Sequence, residues 1–464
     1  MTESNHAPTV DLAIIGGGAA GVLTAIHALR QSRPGLQLAL IEPDLPLARG
    51  VAYATGHEGH LLNVPAGKMS GFADVPDDFL DYLCQLQAYP ELDRDALARH
   101  YVSRRHYAAY LQLRLRQAQQ GSAAQLQLVN DSVSALQPEG DGLRLVLGDG
   151  SALRAGAVSM AVGNTLRPLP ARGAQLLSRA QRVEAWDYPA VQAIDPGVDV
   201  CIVGSGLSMA DSVVSLLANG HRGVVHVVSR HALLPLPHAE GGAADFDPQP
   251  LLAMNLRQRL RGLRQHARQA QAQGLPWQAV MDRIRPLGQA LWQSLSAADQ
   301  RRFLRHVVRY WDVHRHRIAP SVHAQLQALR ERGQLQLHRG RIDAVSADGD
   351  HVRLTGDGPR GSRLHLQVQC VVNATGVETR GQAMRNPLLQ QLLASGLARP
   401  GPHGIGLDSA ADGQLLDADG TPHPRIQVIG SLRIGSLWES LAIPELRVQA
   451  AQAAQWMLAQ AGLP

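Results

Sequence analysis

The feature that most constrains this chain is a pattern it carries twice: a short apolar run, two glycines one residue apart, and then apolar residues at helical spacing. The first copy is "VDLAIIGGGAAGVLTAIHALRQ", Val10 to Gln31. Leu12 to Ile15 reads as a buried parallel strand, because a strand covered on both faces is continuously apolar rather than alternating. Ala19 to Leu29 reads as a helix with Val22, Leu23, Ile26 and Leu29 on one side. Gly16, Gly18 and Gly21 stand in G-x-G-x-x-G register. The first permits a tight turn, the second lets the backbone approach a pyrophosphate, and the third lets helix pack on strand. The pyrophosphate is expected at the helix start, Ala19 and Ala20, where free N–H groups and the helix dipole favour negative charge. A second strand, "LQLALIE", ends at Glu42, 21 positions after Gly21. An acid there binds a ribose hydroxyl pair, and its N-terminal setting points to FAD.

The second copy, "VDVCIVGSGLSMADSVVSLLANG", runs from Val198 to Gly220. Gly204 and Gly206 hold the first two glycine places, with Ser205 and Leu207 beside them. Met209 takes the third, which predicts looser helix–strand packing. The following strand, "GVVHVVSR", ends in Ser229 and Arg230 instead of an acid. A cation at that place accommodates a 2′-phosphate, so this half is expected to take NADPH over NADH. Two dinucleotide sites in one chain predict a flavoprotein that NADPH reduces.

Composition removes several other classes. The 464 residues suffice for two or three domains. A net charge of +5 suits anionic small molecules as well as nucleic acid, but aromatics are only 4% and do not interleave with the basic residues, so nucleic acid is not expected. The three cysteines, Cys84, Cys201 and Cys370, form no Cys-x-x-Cys. That excludes a cysteine-built zinc site and a redox-active dithiol, and all three read as structural. No metal centre is expected. An odd cysteine count without a secretory leader predicts a cytoplasmic protein. No apolar run reaches the roughly 18 residues that cross a bilayer, so no membrane association is expected.

Three more stretches read as buried strands ending at glycine: Ala157 to Pro170 with Gly163, Cys370 to Thr379 with Thr375 and Gly376, and Arg425 to Leu458 with Gly430. They flank the second glycine pattern and predict a FAD domain interrupted by an NADPH domain. The expected fold class is α/β with two nested Rossmann-like dinucleotide-binding domains and a helical insertion. The expected bounds are 1–170 and 366–464 for the FAD domain and 171–365 for the NADPH domain, with the insertion at about 247–337. Within the insertion, Arg301 to Arg317 carries six Arg and three His. It reads equally as a solvated face and as a wall that binds phosphate or carboxylate.

"HLLNVPAGKMSGFADVP", His60 to Pro76, has neither helical nor strand period, yet its apolar residues read as buried. An irregular apolar loop lies against something. The flavin ring is the expected partner of Leu62, Asn63, Val64 and Met69, with Asn63 hydrogen-bonding its polar edge and Lys68 and His60 facing substrate. Asn63, Lys68 and Met69 are the candidate catalytic residues.

The segments "GVAYATGHEGHLLNVPAGKMSGFADVPDDFLDYL", "YVSRRHYAAYL", "GSGLSMAD", "VSRHALLPLPH", "WDVHRHRIAP" and "GSLWESLAIPELR", in this order, resemble the YdhS-like family of bacterial FAD/NAD(P)-binding proteins. That family is distantly similar to the flavin-dependent N-hydroxylating monooxygenases, which act on amines of amino acids. The resemblance implies a monooxygenase that uses molecular oxygen through a flavin C4a-hydroperoxide on a small polar amine or amino acid, anionic substrates included. A homo-oligomer is compatible with it. The Phe-x-Gly-x-x-x-His motif of many flavin monooxygenases is missing, and Arg182 to Val191 stands in its place. Two alternatives stay open: an NADPH-dependent flavin reductase without oxygen insertion, and a flavin-binding sensor without turnover.

Overall fold

The computed structural model describes residues 7–462. The chain divides into two compact units. The first comprises the chain through Gly56, Pro65–Leu166 and Glu378 onward; the second comprises His57–Val64 and Arg167–Val377. The first unit is thus interrupted twice, once by an eight-residue excursion that the sequence reading does not anticipate.

In the first unit, strands β1 (Thr9–Ile15), β2 (Gln37–Ile41) and β3 (Gln125–Val129) run parallel, with Leu12 opposite Leu38 and Leu38 opposite Leu126. The strands β4 (Val133–Glu139), β5 (Gly142–Leu147) and β6 (Ala152–Met160) form an antiparallel meander. The far half of β6 then pairs parallel with β1 and with Pro422–Val428. Helix α1 (Ala19–Gln31) follows β1 and packs on the helices Arg104–Gly121 and Ile443–Gln460. Leu12, Ile14, Leu23 and Ile26 are fully buried, each burial stabilising by about 1.5–3 kcal/mol. The carboxyl ends of β1, β2, β6 and Pro422–Val428 lie along one edge, where open α/β sheets receive ligands.

The second unit has its own parallel sheet, ordered Leu335–Arg339, Val225–Ser229, Val200–Val203, Cys370–Asn373, Arg182–Glu184. Here the expected bounds need correction. Cys370–Asn373 is hydrogen-bonded to Val200–Val203, so the strand ending at Thr375 and Gly376 belongs to the second unit and not to the FAD half. A run of apolar residues reports burial between two strands but not which strands they are. The second unit spans 167–377 where 171–365 was expected. The helical insertion is also shorter than 247–337, because Pro320–Glu331 is the crossover helix leading into the strand Leu335–Arg339.

The insertion packs its own small core around Leu251, Met281, Ile284 and Leu291. Arg259, 5% exposed, ties it together. Its guanidinium donates to the carbonyls of Met254, Leu252 and Leu291 and to Ser294 Oγ. Arg259→Met keeps the stem but leaves several buried acceptors without donors, at about 1–3 kcal/mol each. Thermal unfolding of this variant is expected to show a loss of about 3 kcal/mol or more, whereas Arg257→Met on the exposed face is expected to be neutral.

Candidate functional site

The two glycine turns are built alike. Gly16 has φ +107° and Gly204 φ +112°, a region closed to ordinary side chains. A Cβ on Gly16 would lie 2.4 Å from the Ala161 carbonyl oxygen, and one on Gly204 would lie 2.2 Å from that of Ala374. Each first glycine is therefore pressed against the end of a neighbouring strand. Those strand ends also correspond: Ala161 N–H donates to Ile15 O, and Ala374 N–H to Val203 O, and each chain then turns at a glycine of positive φ, Gly163 and Gly376. Thr375 is fixed here by its hydroxyl, which donates to Asn373 Oδ1 at 2.7 Å.

The middle glycines differ from the first in a way that bears on function. Gly18 (φ −69°) and Gly206 (φ −93°) have extended backbones that any residue adopts. A Cβ on Gly18 would meet only the Gly50 Cα at 3.7 Å, and one on Gly206 would meet nothing within 4 Å. The fold itself has no need of glycine at either place. Both glycines begin helices, α1 and Leu207–Ala218, that have no side-chain cap and no acid in the first turn. Their first N–H groups thus have no capping side chain, a setting for an anion.

The third positions also differ. A Cβ on Gly21 would lie 1.8 Å from Gly16 O, so helix and strand touch there. Met209 is fully buried in the second unit and fills the corresponding place.

Glu42 directly follows β2, and its carboxylate accepts the Gly17 N–H at 2.5 Å and the Asp44 N–H at 3.1 Å. These bonds orient the acid beside the turn. At the same edge Ser431 Oγ donates to Gly163 O at 2.6 Å, and Gly430 N–H donates to Gln449 Oε1 at 3.0 Å. Gln449, buried in the last helix, also donates to Ser440 O, and it carries no local signal that would have singled it out in the sequence.

In the second unit Ser205 Oγ donates to Leu233 O at 2.7 Å and lies 2.8 Å from Ser229 Oγ. Ser229 is therefore part of the turn. Arg230 next to it is exposed, and burial first, then the charges of Arg309, Arg167 and Arg341, push its pKa down. No carboxylate is among the groups that shift it. Arg309 comes from the basic run Arg301–Arg317, whose other members divide: Arg302 pairs with Asp299, and Arg317 is buried. Arg309, Arg167 and Arg341 are distant in sequence, and no local pattern marks them as neighbours of Arg230.

The loop His60–Pro76 divides between the units. Leu62, Asn63 and Val64 fall in the second, and Asn63 O accepts from His238 Nε2 at 2.8 Å. Lys68 and Met69 fall in the first: Lys68 is exposed at the end of a 3-10 turn, and Met69 is 3% exposed. His60, expected to face substrate, does not. It is fully buried, with Nε2 2.9 Å from Ser215 Oγ and 3.0 Å from Asp211 O, and its ring stacks on His57 and meets Tyr188.

Residues 13–165 match the model of a FAD-NAD(P)-binding family. The matched stretch holds the first glycine turn, Glu42 and Gly163. The chain therefore carries a FAD/NAD(P)-binding fold, and its second sheet repeats the same turn. No curated protein sequence matches the chain. Among solved structures, the Kutzneria sp. 744 ornithine N-hydroxylase is 16% identical with a TM-score of 0.67, covering 97% of this chain and 99% of that one. The cadaverine monooxygenase of the desferrioxamine pathway from Erwinia amylovora is 14% identical with a TM-score of 0.64, covering 98% and 94%. The bacillithiol disulfide reductase of Staphylococcus aureus is 14% identical with a TM-score of 0.58, covering 97% and 99%. At these identities the likeness is one of fold. Among the described residues no group of His, Cys, Asp and Glu is placed to hold a metal, and no helix is long and apolar enough to cross a membrane.

Proposed function

We propose that this protein is a FAD-dependent, NADPH-oxidising monooxygenase that hydroxylates an amine of a small polar metabolite or amino acid. The observation that carries the cofactor half of the reading is the pair of middle glycines, whose missing side chains serve no neighbour within the fold. FAD is assigned to the first turn, with Gly16, Gly18, Ala19, Ala20, Gly21 and Glu42, and NADPH to the second, with Gly204, Ser205, Gly206 and Leu207. Arg230 reads the 2′-phosphate, helped by the positive charge of Arg309 and Arg167. Asn63, Lys68 and Met69 are assigned to the flavin chemistry.

Bound FAD supplies the redox chemistry, taking hydride from NADPH and passing electrons to oxygen. The protein's part is to hold the two nucleotides and the substrate and to keep water out. The oxygenase reading is preferred over disulfide reduction because the cysteines do not suit the latter. Cys201 and Cys370 are buried in adjacent strands, and burial pushes both thiols up, that of Cys370 to about 12. Neither is a thiolate at neutral pH.

The test uses the purified holoenzyme. NADPH is expected to bleach the flavin absorbance without air, and in air an amine substrate is expected to raise NADPH consumption in step with hydroxylated product. Consumption that needs an added electron acceptor would instead identify a reductase, and flavin that NADPH leaves oxidised would identify a sensor.

A further inference from the structure

Three of the segments that distinguish this sequence converge in the second unit: "LLNV", "LPLPH" and "HRHRIAP". Pro237 and Ile318 form a parallel bridge, with His238 N–H donating to Ile318 O at 3.1 Å and Ile318 N–H to Leu236 O at 3.0 Å. His238 Nε2 donates to Asn63 O, and Gln278 Nε2 to Pro237 O. The nucleotide-binding turns account for none of this.

Arg317 lies within this convergence and is 3% exposed. Its Nη2 pairs with Asp282. Its Nε and Nη1 are both buried and have no hydrogen-bond partner. Those two nitrogens carry three N–H bonds between them. A buried charged donor without an acceptor is among the most costly arrangements in a folded protein. Arg317 and Arg285 both bear on His238, and Asp282 acts on it in the opposite sense. His238 is held neutral, its pKa brought down to about 4 by burial first and then by Arg317, so it adds no charge of its own near pH 7. An anion would meet the open N–H groups.

We infer that Arg317 anchors a buried anion site beside His238 and Asn63, and that this site takes the carboxylate of a small amino-acid-like substrate. The substrate half rests on the amine-oxygenation reading, whereas the anion site stands without it. A carboxylate suits the site better than phosphate, because burying a dianion costs more than burying a monoanion.

The experiment measures binding to the oxidised holoenzyme, without turnover, so a failed oxygenase assay leaves its result intact. In buffer free of chloride and carboxylates, acetate is expected to raise the melting temperature of the wild type. Arg317→Met is expected to abolish that rise, and Asp282→Asn, which removes the competing acid, to enlarge it. In calorimetry, L-ornithine is expected to bind roughly ten- to hundredfold more tightly than putrescine, which lacks the carboxylate, with the difference lost in Arg317→Met and partly kept in Arg317→Lys. The proposal is overturned if no carboxylate stabilises the wild type, if phosphate does so and acetate does not, if putrescine binds as well as ornithine, or if either variant keeps the wild-type response. Should Arg317→Met not fold, the Asp282→Asn and Arg317→Lys responses decide the matter by the same criteria.

Discussion

Gly18→Ala is expected to give a folded protein that binds FAD roughly ten- to hundredfold more weakly than the parent. The backbone at Gly18 is extended, and the new methyl would touch only Gly50 Cα at 3.7 Å. Replacing glycine at a compatible position also lowers the entropy of the unfolded chain, so stability is expected to stay level or rise by up to about 1 kcal/mol. The methyl would, however, stand where a pyrophosphate must approach the N–H groups of Ala19 and Ala20, and overpacking of that kind costs about 1–3 kcal/mol. The contrast is Gly16→Ala. Its positive φ and the Ala161 carbonyl 2.4 Å from the new Cβ oppose folding itself, so that variant is expected to be insoluble. Thermal unfolding of the apoprotein, with flavin titration, separates the two effects. Parental FAD affinity in a well-folded Gly18→Ala would remove the assignment of this turn.

Arg230→Ala is expected to raise KM for NADPH by roughly ten- to hundredfold and to leave KM for NADH nearly unchanged. A charge-assisted hydrogen bond to phosphate contributes about 1.5–3 kcal/mol. Arg230 is exposed at the end of the strand Val225–Ser229 and gains no compensating carboxylate from its neighbours, so its removal takes little from the fold. Arg309→Ala is expected to act in the same direction more weakly, because Arg309 shares its charge with Asp312 at 3.2 Å. Steady-state kinetics with both nucleotides, repeated at higher salt, give the reading. Equal rises for NADPH and NADH would show that Arg230 contacts something common to both.

The parts of the candidate site that were legible in the sequence are those whose cause is local. Gly16, Gly18 and Gly21 lie within six residues, and the strand, turn and helix they require follow from the apolar pattern on either side. The same holds for the turn at Gly204 and Gly206. The loop His60–Pro76 was legible only as an irregular apolar segment. Its division, with Leu62–Val64 in one unit and Met69 in the other, depends on which surfaces the folded chain offers. His60 illustrates the limit: a polar residue in a loop suggests solvent or substrate, yet Ser215 and Asp211 O, about 150 positions later, take it into the interior.

The sequence by itself determined that this chain makes two glycine turns between strand and helix, each ending in an open helix N-terminus. That follows because strand, turn and helix signals act over a few residues, through backbone sterics and hydrophobic period. Only the tertiary structure decided that Cys370–Asn373 closes the second sheet, that Arg167 and Arg309 gather at Arg230, and that Arg317 is buried with unmet donors. Each of these depends on segments tens to hundreds of positions apart being packed together. Packing of that kind is set by the summed burial of the whole chain and leaves no trace in any single stretch of it.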